Sequence, residues 1–307
     1  MERNWDVIII GGGPAGLAAA VYCGRALRKT LVLEKQVFGG QIIFSDIIEN
    51  YPGFSEPIVP ADLMEQMAKQ AERYGVILEQ DEVLGLKREG GAWLVDVYQN
   101  QYAAKAILYA AGSSHRHLGV PGESELMGRG VSVCATCDAP FFKGKKVAVL
   151  GGGDTALYEA LHLSKFASEV SLIHRRDQLR AERILQDRVF RNEKIKVIWD
   201  SQVLRFKGSQ KLEALDVLNK KTGAVAEMAF DGAFLAIGTL PNTGLLQGLV
   251  KLDENGYVPT DISLRTEAPG LFVSGEVIAG NRRQVAISTG MGVQAALSCE
   301  EYLSSLE

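Results

Sequence analysis

Cys134-Ala135-Thr136-Cys137 places two thiols three positions apart, and the carboxyl of Asp138 follows the second at once. A pair at this spacing can close a small disulfide and open it again by thiolate attack. That chemistry needs a lowered thiol pKa and a proton donor or acceptor close by, for which Asp138 is the candidate. The spacing would also serve half of a structural zinc site, but a closed site takes four ligands. No second close-spaced cysteine pair exists, and His115, His117, His162 and His174 stand at no zinc-finger spacing, so no metal is expected. The loop-like stretch Gly128-Arg129-Gly130 just upstream favours a working dithiol over two buried structural cysteines.

Two glycine-rich turns flank the dithiol. In Gly11-Gly12-Gly13-Pro14-Ala15-Gly16, Gly11 allows a sharp turn, Gly13 lets backbone approach a pyrophosphate, and Gly16 lets a helix pack closely on its strand. In Gly151-Gly152-Gly153-Asp154-Thr155-Ala156 the same places fall to Gly151, Gly153 and Ala156. The charge that follows separates the two. Glu34 stands 34 − 11 = 23 residues after the first glycine, where a carboxylate would bond adenosine ribose hydroxyls, which fits FAD or NAD. At the same offset, 174 − 151 = 23, stands His174, followed by Arg175, Arg176 and Arg180. A carboxylate would repel a 2′-phosphate, whereas guanidinium groups bind it through charge-assisted bonds, so the second site is expected to prefer NADPH. Nicotinamide yields a hydride and a disulfide is opened at sulfur, which makes a flavin the natural intermediary and assigns FAD to the first turn.

These residues need strand, turn and helix around them, and the pattern supplies that twice. Val7 to Ile10, a helix from Leu17 to Arg28 and Leu31 to Leu33 form the first unit. Val147 to Leu150, a helix from Thr155 to Phe166 and Val170 to Ile173 form the second. Each continues into short strands, at Val83 to Lys87, Trp93 to Tyr98 and Tyr102 to Ala106, and at Val203 to Phe206, Leu212 to Leu218 and Val225 to Phe230. Return strands then end near Gly112 and Gly238. A last strand, Leu271 to Ser274, and a helix from about Gln284 to Leu303 cannot form a core alone, so the tail is expected to rejoin the first domain.

The chain has 307 residues, 47% of them hydrophobic, with 33 basic against 37 acidic side chains, which fits a globular protein of two domains without a basic field for nucleic acid. Four cysteines in such a length form no disulfide framework, and Cys23 and Cys299, alone in helix-like segments, read as core residues. The polar start and the short apolar run Val7 to Ile10 point to a cytoplasmic protein with no membrane partner.

Taken together the motifs resemble the low-molecular-weight, bacterial-type thioredoxin reductases over nearly the whole chain. The resemblance rests on Gly39-Gly40-Gln41, Glu49 to Gly53, Gly119 to Glu123, Cys134 to Asp138, Gly151 to Ala156, His174 to Asp177, Ala236 to Gly238 with Pro241-Asn242, and Arg283-Gln284. It implies an α/β fold of two Rossmann-like, three-layer dinucleotide-binding domains, the first discontinuous: FAD bound by 1–113 and 243–307, NADPH by 114–242. To the FAD residues Gly11, Gly13, Gly16 and Glu34 it adds Gly40, Gln41, Asn50, Val83, Gly112, Gly275, Glu276, Arg283 and Gln284. To the NADPH residues Gly151, Gly153, His174, Arg175, Arg176 and Arg180 it adds Asp154, Thr155 and Gly238. It further implies a homodimer that reduces thioredoxin or a thioredoxin-like protein, with Cys137 facing the flavin, Cys134 attacking the partner's disulfide, Asp138 as the acid, and hinges near 112–119 and 238–243. One position departs from the family: Gly275-Glu276 stands where Gly-Asp is usual, so FAD is expected to bind with shifted geometry or more weakly. A dithiol oxidase, a flavin reductase with another partner, or a non-catalytic NADPH sensor would share parts of the pattern.

Overall fold

The computed structural model describes residues 4–44, 47–281 and 284–307. It opens with β1 (Asn4–Ile10), α1 (Pro14–Arg25), β2 (Thr30–Glu34), α2 (Pro60–Arg73), β3 (Ile77–Gln80), β4 (Gly85–Glu89), β5 (Ala92–Asp96), β6 (Gln101–Tyr109) and β7 (Ser113–His115). There follow α3 (Glu123–Leu126), β8 (Val131–Ser132), α4 (Ala135–Asp138), β9 (Lys146–Gly151), α5 (Asp154–Leu163), β10 (Glu169–Ile173), α6 (Arg183–Phe190) and β11 (Ile195–Ile198). The chain then forms β12 (Ser201–Lys207), β13 (Ala214–Asn219), β14 (Val225–Ala229), β15 (Gly232–Ala236) and β16 (Thr239–Pro241), and closes with β17 (Leu271–Val273) and α7 (Val285–Ser304). It divides into two units, one of residues 1–114 and 240–307, the other of residues 115–239. The crossings β7 and β16 pair with each other as a two-stranded ribbon.

In the first unit the sheet order is β3-β2-β1-β6-β5-β4, with β17 on the other side of β6. β1 runs parallel to both β2 and β6, and Val7, Ile8 and Ile9 have no exposed surface, as befits a strand covered on both faces. Each such side chain contributes on the order of 1.5–3 kcal/mol by leaving water. α1 is buried from Ala15 to Val21 because α7 and α2 enclose it, and its alanines and glycine let α7 come so close that a Cβ on Gly292 would stand 2.1 Å from the Ala15 carbonyl oxygen. Leu271, Phe272 and Val273 pair with Ile107, Leu108 and Tyr109, so the tail contributes a strand to this sheet. Arg28 locks the end of α7 by donating to both carboxylate oxygens of Glu300 at 2.7 Å.

The second unit repeats the parallel frame in the order β11-β10-β9-β15-β8. The duplication is not strict. Here β12-β13-β14 form a sheet of their own and β15 is a separate return strand, whereas in the first unit the third meander strand and the return strand are one continuous strand, β6. Tyr102 and Ala104, whose side chains are buried beside β5, and Leu108, buried beside β1, lie on the same nine-residue strand. Cys23 and Cys299 are both core residues, and burial pushes the Cys23 thiol up to about 12.

Candidate redox and dinucleotide site

At the end of β1 the chain turns on Gly11, whose φ of +106° and closeness to Ala110, 2.3 Å from any Cβ to the carbonyl oxygen, admit only glycine. The Gly12 N–H donates to Glu34 Oε2 at 2.8 Å and the Gly39 N–H to the Gly12 carbonyl at 2.8 Å, so the end of β2 and the following loop clasp the turn. This brings Gly40 beside Gly13, its notional Cβ 3.2 Å from the Gly13 Cα. Gly275 arrives from the tail against Ala15, with 3.0 Å between its notional Cβ and the alanine's. Gln41 donates to the Ser113 carbonyl, the Ser113 hydroxyl donates to Glu276 Oε2, and Asn50 donates to Gln284 Oε1 at 3.0 Å. The expected FAD residues from four stretches of sequence therefore meet around the start of α1. The longer stem of Glu276 engages Ser113, so this carboxylate is already anchored to the protein. Gly112 lies at the crossing, its carbonyl accepting from the Asn242 N–H at 3.0 Å. Val83 is placed in the loop between β3 and β4, half-buried against the core. Arg283 lies outside the described residues.

The second turn is built alike. Gly151 sits under the Ala236 carbonyl, 2.3 Å from a notional Cβ, and Ala156 stands where Gly16 stands in the first unit. The segment after β10 folds back onto the turn: the Arg180 N–H donates to the Gly152 carbonyl at 2.7 Å, and the Glu182 N–H donates to Asp154 Oδ1 at 2.7 Å. Arg175, Arg176, Arg180 and Thr155 are exposed. His174 is not among them. The residue is 5% exposed, its ring lies against Gly152 with Nε2 3.0 Å from the Gln178 carbonyl, and burial lowers its pKa so that the neutral ring is favoured. Gly238 accepts from the Arg116 N–H at 2.8 Å where the unit ends.

Both turns fit an anionic group. α1 and α5 begin on Gly13 and Gly153 with no side-chain cap, which leaves amides free at each helix start. Nothing lies within 4 Å of a notional Cβ on Gly153, and for Gly13 the nearest atom is 3.9 Å away. In the first unit Ser274 Oγ, beside Gly275, is buried without a partner among the described residues.

Between the turns, Cys134 and Cys137 form a disulfide across the first turn of α4. Ser132 Oγ accepts from the Cys134 N–H at 3.0 Å, and the Cys137 N–H points at Cys134 Sγ, 3.2 Å away. Cys137 is exposed, while Cys134 and Asp138 are half-buried. Ala135 and Ala139 hold α4 to α5 in a core that Phe142 extends by an edge contact with Phe234, centroids 5.3 Å apart.

Residues 5–292 match the family model described as pyridine nucleotide-disulphide oxidoreductase. The chain belongs to that family. Among relatives of this oxidoreductase, a thioredoxin reductase of Treponema pallidum is 42% identical over the full length of both chains, and one of Streptomyces coelicolor is 45% identical over 98% of this chain and 94% of the other. The crystal structure of Lactococcus lactis thioredoxin reductase superposes with a TM-score of 0.95 at 41% identity, covering 98% of this chain and 99% of that one. The oxidoreductase also carries a group that sequence reading passed over. Glu159 of α5 accepts a hydrogen bond from the Ala135 backbone, yet its Oε2 is buried without a partner among the described residues, and burial pushes its pKa up to about 8. A glutamate inside a helix reads as solvated, and only the packing of α4 on α5 reveals otherwise. Among the described residues no cluster could hold a metal, and no helix is long and apolar enough to cross a membrane.

Proposed function

We propose that the chain is an NADPH-dependent flavoprotein thioredoxin reductase. The observation that carries this reading is the Cys134–Cys137 disulfide at a helix start, with Cys137 exposed, in the same unit as the three exposed arginines of the second glycine turn. Glu34, Gly13, Gly40, Gln41, Asn50, Gly275, Glu276 and Gln284 would hold FAD in the first unit; Gly153, Thr155, Arg175, Arg176 and Arg180 would hold NADPH in the second. When bound, these cofactors supply the two electrons that open the disulfide.

Once reduced, Cys134 attacks one sulfur of the partner's disulfide as a thiolate, and the partner's other sulfur leaves and takes a proton. Cys137 then attacks Cys134 Sγ of the mixed disulfide, which releases the second partner thiol and restores the Cys134–Cys137 bond. Asp138 holds the proton that the departing thiols need. The dithiol has to serve both the flavin and the partner, a task for the crossings at β7 and β16 acting as hinges. The same reading takes the protein as a cytoplasmic homodimer. It is tested by NADPH oxidation with and without a panel of oxidised thioredoxins. Thioredoxin-dependent turnover that disappears in Cys134→Ser and Cys137→Ser is the expected result; reduction of small disulfides with no thioredoxin accepted would overturn the assignment of partner.

A further inference from the structure

Ala135 follows Cys134 directly, and its amide opens the redox helix. The amide that faces the Cys134 sulfur is that of Cys137, 3.2 Å from Sγ across the same turn, where a helix-start N–H stabilises a thiolate. The Ala135 amide is engaged elsewhere: the Glu159 carboxyl accepts from it. Glu159 stands on α5, against which α4 packs through the buried Ala135 and Ala139 and through Ala156, Leu157 and Ala160. One oxygen of the carboxyl is therefore engaged with the redox turn, and the other is sealed from water without a partner among the described residues. A buried polar atom left unmatched costs about 1–3 kcal/mol. Covalent geometry fixes the distance scale. Ala135 N is one peptide bond from the Cys134 Cα, so the carboxyl lies within roughly 9 Å of Cys134 Sγ.

We propose that Glu159 is a positioning residue for the Cys134–Cys137 couple: by holding the Ala135 N–H it fixes the first turn of the redox helix and so keeps the Cys137 N–H on Cys134 Sγ, which favours the Cys134 thiolate. The inference rests on the reading of the dithiol as the redox centre, but it concerns the sulfurs themselves and needs neither NADPH nor a thioredoxin to test.

The test uses the full-length flavoprotein, reduced with excess dithiothreitol and freed of it, and measures the rate of iodoacetamide alkylation of Cys134 and Cys137 at pH 7. Glu159→Ala is expected to slow alkylation of Cys134 about three- to tenfold and to make the couple more reducing in a glutathione titration. Glu159→Gln, whose side-chain oxygen still accepts the N–H, should stay within twofold of wild type. Hydrogen exchange of the peptide spanning Ala135 reads the anchor without depending on the alanine variant's stability. That peptide should be protected in wild type and in Glu159→Gln. Unchanged or faster alkylation in a folded Glu159→Ala, or rapid exchange at Ala135 in wild type, would overturn the proposal. So would a Glu159→Gln that behaves like Glu159→Ala, since a side chain that keeps the acceptor oxygen would then fail to keep the effect. A failure of the thioredoxin assay with these results in place would leave the inference standing and strike only the choice of partner.

Discussion

The imidazole of His174 fills the space that a side chain on Gly152 would need: a Cβ there would fall 2.3 Å from both Nδ1 and Cε1. The ring thus acts as a buried prop beneath the second glycine turn. Gly152→Ala must displace the ring or the turn, and overpacking of this kind costs about 1–3 kcal/mol. A lower melting temperature and a raised KM for NADPH are expected, with FAD content unchanged, as melting curves, kinetics and the flavin spectrum will show.

Arg175 and Arg176 are exposed beside a turn to which Arg180 is tied by its own backbone. Each charge-assisted bond to a 2′-phosphate is worth about 1.5–3 kcal/mol. The double variant Arg175→Ala, Arg176→Ala should therefore raise the KM for NADPH at least tenfold and leave that for NADH nearly unchanged. Parallel steady-state kinetics with the two nucleotides decide the matter, since equal effects would remove the arginines from 2′-phosphate recognition.

Glu159 makes stability depend on pH. Burial raises its folded pKa to about 8 from an ordinary 4.5, so between those values the native state keeps a proton that the unfolded chain has lost. Stability from this group is full below about 4.5, falls as pH rises through that window and levels off above 8. Denaturant unfolding between pH 5 and 9 should show that decline in wild type, and Glu159→Gln should flatten it.

The opposite sign holds for Glu300, whose pKa is lowered chiefly by its hydrogen bond to Arg28. Its contribution is present above the ordinary carboxylate range and is lost as pH falls through the lowered folded value. Arg28→Ala should cost about 1–3 kcal/mol, because it strips a two-oxygen clamp from the end of α7, and hydrogen exchange over residues 296–304 should rise first.

Of the four cysteines, Cys23 and Cys299 are buried and their thiols are pushed up by that burial. Alkylation of the native, reduced protein followed by mass spectrometry should label Cys134 and Cys137 alone, with the other two reacting only after unfolding.

Much of this was legible because the chemistry imposes local rules. Glycine at 11 and 151, small residues at 16 and 156, and the charge at an offset of 23 follow from how a strand, a turn and a helix meet a phosphate. α2 was overlooked although Leu63, Met64, Met67 and Ala71 face the core at helical spacing, because no motif marks it. β3 and β11 were overlooked for another reason: both are short edge strands, β3 with no buried residue and β11 with only one, so neither shows the apolar run of a central strand. Tyr102 to Ala106 reads as a third short strand followed by a return strand ending near Gly112, whereas pairing with β1 from Ala103 to Tyr109 joins the two into one strand, β6. His174 read as a nucleotide contact because its number placed it at the charge offset, and only its burial shows the ring turned into the protein.

Because residues 115–239 interrupt the first unit, the order of synthesis differs from the order of assembly. The inserted unit leaves the ribosome with its parallel sheet and its cysteines complete while the first unit still lacks β17 and α7, the strand beside β6 and the helix that covers α1. Nascent chains stalled near residue 280 should then carry a protease-resistant dithiol unit on an unfinished first unit, so that oxidation of the thiols can precede the completion of the unit to which the proposed function assigns the flavin.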